Sequence, residues 1–304
     1  MPVLRGVGLL QEYAGFRFMN GGAFTAAIIG TGLIGGSFAL ALRGFRDAKI
    51  VGADADGRTR EKACDAFDEI FAEPSQAVKD ADIVLLCAPP ETVPEILRDC
   101  AEFFKPGAVV ADMCGVKSGL LARVGEILRE KKPDIDYISC HPMAGREAGG
   151  FERAEAELFL GTSFLLIPAG DCRESAEALL REMASFIGAS RIERCPSPAY
   201  HDGLIAHASH LCHISAAALC LSIPPGLSPA YTGGAWRDCT RIAEINAGLW
   251  SGLLLENREL TLEALTRFEK SLRTLRTALD SADGSGLKAL LESARGRKRE
   301  AAAL

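Results

Sequence analysis

The stretch that leaves this chain the fewest folding options is AAIIGTGLIGGSFALAL, residues 26–42. A short apolar run ends at Gly30, Gly32 and Gly35 follow in G-x-G-x-x-G order, and an apolar helical stretch begins at once. A strand that turns directly into a helix through three such glycines is the fingerprint of a dinucleotide-binding βαβ unit. The first glycine permits the tight turn, the second lets the backbone approach a pyrophosphate, and the third lets helix and strand pack closely. The helix start at Leu33 and Ile34 then offers N–H groups and a positive dipole end to the phosphates. Asp54 lies 19 residues after Gly35, at the end of the next apolar run. A carboxylate there accepts hydrogen bonds from ribose hydroxyls and repels a 2′-phosphate, so NAD is the expected cofactor. Arg58 and Arg60 follow closely and keep NADP open. A glycine turn that only packs, with Asp54 as a helix cap, is the other reading.

The same alternation continues. AAIIG (26–30), KIVGA (49–53), DIVLLCA (82–88), AVVAD (108–112) and DYISC (136–140) are short, apolar and strand-like, with helical patterns between them. Strands are also expected at 163–168 and 190–195, with a helix between. This spacing predicts an α/β fold with a mostly parallel sheet. Ligands in such sheets lie at the carboxyl ends of the strands. That places the loops carrying Ala88, Pro89 and Gly115 on the cofactor side. After CPSP (195–198) the strand signal ends. Residues 199–221 read as one long apolar helix, and helical pattern resumes near 248 and runs to the end. The expected organisation is an extension over 1–23, a Rossmann-type unit over 24–195 and an all-helical unit over 196–304. The helical unit has many apolar positions for its size, which a homodimer would bury. A purely intramolecular core is the alternative.

Composition excludes some classes. The net charge of −6 lacks the basic footprint of a nucleic-acid binder. Ten cysteines with no C-x-x-C pair read as reduced thiols of a cytoplasmic protein, and their spacing gives no zinc site. No run of about 18 uninterrupted apolar residues suggests a membrane span, and the N-terminus does not read as a signal peptide.

The segment CHPMAGREAGG (140–150) sets His141 just beyond a predicted strand, on the same carboxyl edge, with Pro142 fixing the backbone after it. A neutral imidazole beside a hydride acceptor suits oxidation of a carbon that bears a hydroxyl, because it can take the hydroxyl proton near neutral pH. A histidine that merely caps a loop is the plainer reading. His207, His210 and His213 fall at i, i+3 and i+6 and can share one helix side, as a polar seam facing a ligand cleft, as a seam between helices or as a metal site. Asp238 and Arg241 stand at i and i+3, close enough to pair, and an arginine in a cleft is a natural fork for a carboxylate.

Taken together, GTGLIGGS (30–37), DMCGVKS (112–118), HPMAGREAGG (141–150), HDGLIAHASHLCH (201–213) and GGAWRDCTRIA (233–243) resemble the prephenate dehydrogenase family of tyrosine biosynthesis, in family order. The resemblance implies NAD-dependent oxidative decarboxylation of prephenate to 4-hydroxyphenylpyruvate by an interlocked homodimer. By motif position it implies that His141 deprotonates the ring hydroxyl. Arg241 would bind a substrate carboxylate with His213 nearby and His210 in support, and Glu147 and Asp238 would form an ionic network with Arg241. Many members carry a serine where this chain has Gly115, so a backbone group, a water or Ser118 is expected to stand in for it. Neither a mutase domain before the nucleotide unit nor a regulatory module after the helical unit is expected. Arogenate is the alternative substrate. A 3-hydroxyacid dehydrogenase of similar architecture would need a lysine on the helix joining the domains, and residues 190–260 contain none. A nucleotide-sensing module without chemistry would need neither His141 nor Arg241.

Overall fold

A computed structural model of the chain describes residues 24–146 and 148–303. The expected N-terminal extension and Glu147 lie outside the described residues. The strands are β1 (Thr25–Ile29), β2 (Lys49–Ala53), β3 (Glu69–Phe71), β4 (Ile83–Leu86), β5 (Ala108–Asp112), β6 (Ile135–Pro142), β7 (Ser163–Pro168) and β8 (Arg191–Arg194). They form one sheet in the order β3-β2-β1-β4-β5-β6-β7-β8. All pairings are parallel except β6 with β7. Helices α1 (Leu33–Ala41), α2 (Gly57–Ala63), α3 (Pro74–Val78), α4 (Val93–Cys100), α5 (Ser118–Lys131) and α6 (Glu174–Phe186) cover the two faces. Strands β1, β4 and β5 are buried along their whole length, which explains why they read as unbroken apolar runs rather than alternating ones. Two apolar layers result, one around Phe38, Phe159 and Phe164 and the other around Leu86, Leu97 and Leu120. The three-residue strand β3 has no counterpart in the sequence pattern, since EIF between polar residues is too short to show a period.

Beyond β8 the described chain is helical: α7 (Pro198–Ile205), α8 (Leu211–Leu221), α9 (Gly234–Thr240), α10 (Ala247–Glu256), α11 (Arg258–Asp280) and α12 (Gly284–Ala303). The long helix expected over 199–221 is continuous from Pro198 to Leu221, but a π-turn at Ala206–His210 divides α7 from α8. Such a turn inserts a residue and rotates the side chains after it. By length and composition alone Pro198–Leu221 is apolar enough to cross a membrane, although scattered polar residues interrupt its apolar run. Its first turn, however, buries His201 and Asp202 against the sheet unit, and that is a docking face rather than a lipid face. The helical pattern after Leu249 is interrupted at Asn257, whose side chain is buried and donates to the Asp202 carbonyl (2.9 Å).

The sheet changes character between β5 and β6. The two pair in parallel only where Ala108–Val110 face 135–137. β6 then leaves β5 and runs antiparallel to β7, with His141 opposite Leu165. His141 therefore lies inside β6, not on a turn beyond it as expected, because β7 extends the ladder two residues further. The opening between β5 and β6 is closed by Lys117, which is fully buried. Its Nζ donates to Asp112 Oδ1 (2.8 Å) and to the Cys140 carbonyl (2.7 Å). The Tyr137 hydroxyl donates to the other oxygen of Asp112 (3.0 Å). Burial, and then the charge of Asp112, push the Tyr137 phenol well above its usual range, so it stays a donor.

Replacing Lys117 by Met would strand the Asp112 carboxylate in the interior. The expected cost is about 3–5 kcal/mol, read as a lower urea midpoint. Adding Asp112→Asn to Lys117→Met should recover part of that loss. An unchanged midpoint for Lys117→Met alone would show that the pair does not hold the strand ends together.

Candidate active site

Strand order reverses between β1 and β4, so the carboxyl ends of these strands flank a crevice. Gly30 sits there with φ +90° and its amide bonded to the Ala53 carbonyl (2.8 Å). A Cβ on Gly30 would fall 2.6 Å from the Cys87 carbonyl oxygen, and one on Gly35 would fall 1.8 Å from the Gly30 carbonyl oxygen. Only glycine fits at either position, so α1 starts tight against the strand. A Cβ on Gly32 would meet nothing within 4 Å, so the space beyond it is open. Leu33 and Ile34 begin α1 at that opening. Asp54 points its carboxylate back at the turn: Oδ2 accepts from the Thr31 amide (2.8 Å) and hydroxyl (3.2 Å). The cap of α2 is Asp56, which accepts from the Arg58 amide, so Asp54 is not a helix cap. Arg60 Nη1 is turned onto the carbonyls of Asp54 and Ala55, and Arg58 is exposed. Ala88 and Pro89 open the loop after β4, and Gly115 lies in the loop after β5. The open turn, the glycine packing and the inward carboxylate suit a dinucleotide.

His141 is half-buried at the carboxyl end of β6. Its Nε2 lies 3.6 Å from where a Cβ on Gly115 would stand, a contact that a side chain could make without displacement. Its Nδ1 is 2.9 Å from His201 Nε2, and His201 Nδ1 is 2.8 Å from Asp202 Oδ1. Burial, then the Lys117 ammonium and His201, hold the His141 pKa well below the usual histidine value near 6.5. The ring is therefore neutral at ordinary pH. Ser118, a candidate substitute for the family serine, gives its amide to Asp202 Oδ2 (2.7 Å). His201, Asp202 and Lys117 do not stand out in the sequence. The adjacent His-Asp pair in the first turn of a helix is the available signal, since a buried carboxylate demands donors.

The π-turn separates the three histidines expected to share a seam. His207 is exposed. His210 is buried, with Nδ1 3.2 Å from the Thr261 hydroxyl, and burial lowers its pKa to about 4. His213 Nδ1 donates to the Ser209 carbonyl (2.9 Å), and its ring lies against Trp250 at 3.6 Å between centroids. Trp250 also meets the His210 ring edge-on at 6.1 Å. Arg241 follows α9 in a 3-10 turn, and that turn packs on α8, the helix that carries His213. Arg241 and Asp238 are both exposed in the single chain. Glu147 lies outside the described residues. Among the described residues no group of three or more His, Cys, Asp or Glu side chains is disposed to hold a metal ion, and all ten cysteines are free.

Comparison with known proteins agrees with this layout. Residues 38–193 match the prephenate dehydrogenase nucleotide-binding domain, and residues 197–293 match the prephenate dehydrogenase dimerization domain. A cyclohexadienyl dehydrogenase of Zymomonas mobilis is 32% identical over 86% of this chain and 90% of its own length. The crystal structure of the A. aeolicus prephenate dehydrogenase in complex with hydroxyphenyl propionate and NAD+ superposes with a TM-score of 0.80, at 30% identity, covering 91% of this chain and 98% of that one. The Synechocystis arogenate dehydrogenase gives 0.76 at 27% identity, covering 91% and 99%. The protein is thus an oxidoreductase that belongs to the prephenate dehydrogenase family.

Proposed function

We propose that this chain oxidises prephenate to 4-hydroxyphenylpyruvate and carbon dioxide, with NAD bound at the Gly30–Gly35 turn. The observation that carries the reading is the neutral imidazole of His141, held at the carboxyl edge of the sheet with Nε2 toward the loop that carries Gly115. The relative bound to hydroxyphenyl propionate and NAD+ supports the ligand classes. When bound, the nicotinamide supplies the acceptor for the hydride of the carbinol carbon. The chain's own residues manage the rest. His141 Nε2 takes the hydroxyl proton as that hydride departs, and returns it to the ring oxygen as the ring carboxylate leaves as carbon dioxide. The proton is borrowed, so no buried charge persists, and aromatisation makes the step downhill. Arg241 binds a substrate carboxylate as a bidentate fork, with His213 beside it on its tryptophan and His210 behind. Asp238 and Glu147 tune that arginine. Ala88, Pro89 and Gly115 border the nicotinamide.

Arogenate is the second reading, favoured by the relative named for it and by the relative named for cyclohexadienyl substrates. It differs at one polar group of the side chain. We further propose a Rossmann-type unit over 24–195, a helical unit over 196–304 and a homodimer through the latter. In a single chain Leu221 is 89% and Leu255 70% exposed. Burying an exposed leucine is worth roughly 1.5–3 kcal/mol. A second copy of the chain would cover such residues.

NADH formation should follow addition of prephenate, arogenate or both, and formation with neither would overturn the reading. His141→Asn should lower kcat by roughly 10²–10⁴-fold and leave NAD+ affinity nearly unchanged. A base must be unprotonated to act, so kcat/KM should fall with acid through the pKa of His141 in the free enzyme. That limb is expected below 6.5, because burial, Lys117 and His201 all disfavour the cation. A limb above 6.5 would contradict the assignment. Arg241→Gln should act mainly on KM, by about tenfold or more, as expected for a lost charged hydrogen bond of roughly 1.5–3 kcal/mol. Sedimentation equilibrium should return twice the chain mass, and a stable monomer would sink the dimer.

A further inference from the structure

Outside the residues so far given a role, the most connected buried polar group is the pair His201–Asp202. Both are almost completely buried, at 1% and 2% exposure. They stand near the start of α7, where the helical unit meets the end of β6. Asp202 is fixed from the far side. Its Oδ1 accepts from the Lys117 amide (3.0 Å) and its Oδ2 from the Ser118 amide (2.7 Å), at the start of α5. Asn257 holds the Asp202 backbone carbonyl.

The proton positions follow from these contacts one after another. Amide N–H groups can only donate, so Asp202 presents acceptors to α5. Burial raises its pKa, but hydrogen bonds from His201 and Ser118 outweigh that and leave it lowered overall, so the carboxylate is ionised. His201 Nδ1 must then carry a proton and donate it to Asp202 Oδ1. His201 Nε2 is left as an acceptor. His141 Nδ1 must therefore carry a proton too and donate to it. The lone pair of His141 falls on Nε2, the atom facing Gly115. One carboxylate thus sets the tautomer of two imidazoles.

We propose that His201 and Asp202 are positioning residues that lock His141 in the Nδ1–H tautomer and receive positive charge from it during turnover. The inference rests on the reading of His141 as the base. When the substrate O–H bond breaks and the Nε2–H bond of His141 forms, the imidazolium stands near the buried ammonium of Lys117. Transfer along the line removes it: the His141 Nδ1–H bond breaks, the His201 Nε2–H bond forms, and the cation moves beside Asp202. The reverse transfer returns the proton to the ring oxygen as carbon dioxide leaves. No net proton or electron is added. The arrangement also gives His141 a fixed orientation in a chain whose position 115 has no hydroxyl to offer.

The test uses the full-length protein labelled with ¹⁵N-histidine, which contains five histidines. Two-bond ¹⁵N–¹H correlation spectra distinguish the two neutral tautomers, and single His→Gln variants assign the signals. Wild type should show His141 and His201 both as the Nδ1–H form. Asp202→Asn can donate to His201 and should shift the population toward Nε2–H at both rings. In steady state, His201→Gln should lower kcat by about 100-fold, while KM and NAD+ affinity change less than threefold. A Nε2–H tautomer of His141 in wild type, or a His201→Gln variant with kcat within threefold of wild type, would overturn the proposal. If wild type oxidised neither prephenate nor arogenate, the functional reading would fail separately, and the tautomer spectra would still decide the relay. Should His201→Gln not fold, the wild-type and Asp202→Asn spectra decide it alone.

Discussion

An ammonium group sealed from water between two diverging strands holds this site open. Lys117 bridges the carboxyl end of β5, through Asp112, to the carbonyl of Cys140, the residue before His141. Without that bridge two strands that part after three paired residues would leave buried polar ends unsatisfied. With it, β6 can leave its parallel neighbour, turn to an antiparallel one and deliver His141 to the sheet edge. The same cation disfavours a proton on His141. One side chain thereby helps set the position of the imidazole and adds to the burial that keeps it neutral.

Much of the nucleotide half was legible from sequence because its signals are local. The glycines mark a turn whose packing admits no Cβ at Gly30 or Gly35, and buried parallel strands are necessarily unbroken apolar runs. The aspartate just after β2 turns toward the glycine loop. What escaped was non-local. β3 is a strand only because β2 offers it an edge. The extension of β6 through His141 depends on β7, which comes more than twenty residues later. Lys117 reads as an ordinary polar residue before a helix. Its burial is decided by a carboxylate five residues away and a carbonyl 23 residues away.

The histidine-rich helix shows the same limit in another form. Counting i, i+3 and i+6 presumes an unbroken α-helix. A π-turn at 206–210 removes that premise, sends His207 outward and buries His210. The histidine that reaches His141 is His201, in the turns before the segment where the spacing looked regular. Its importance comes from its neighbour, since an aspartate buried in the first turn of one helix and capping another has to be satisfied by several donors at once. Sequence showed the pair but not the burial that gives it meaning.

The two halves differ in how their stability is made. The sheet unit closes its own core, with phenylalanines and aliphatic residues buried on both faces. Among the described residues, the helical half gathers Ala206, Leu211 and Ala264 into a small buried cluster and leaves large leucines on α8, α10 and α11 in water. Its polar contacts to the sheet unit include Asp202 on the start of α5 and an ion pair between Arg123 and Glu256 at 2.7 Å. The paired atoms are sealed from water although their side chains are partly exposed, and the desolvation of both charges offsets much of their attraction. The uncovered apolar surface outweighs it, at roughly 1.5–3 kcal/mol for each leucine buried. Covering that surface with a second copy would therefore do more to fix α9 to α11, and with them Arg241 and Trp250, than the ion pair within one chain.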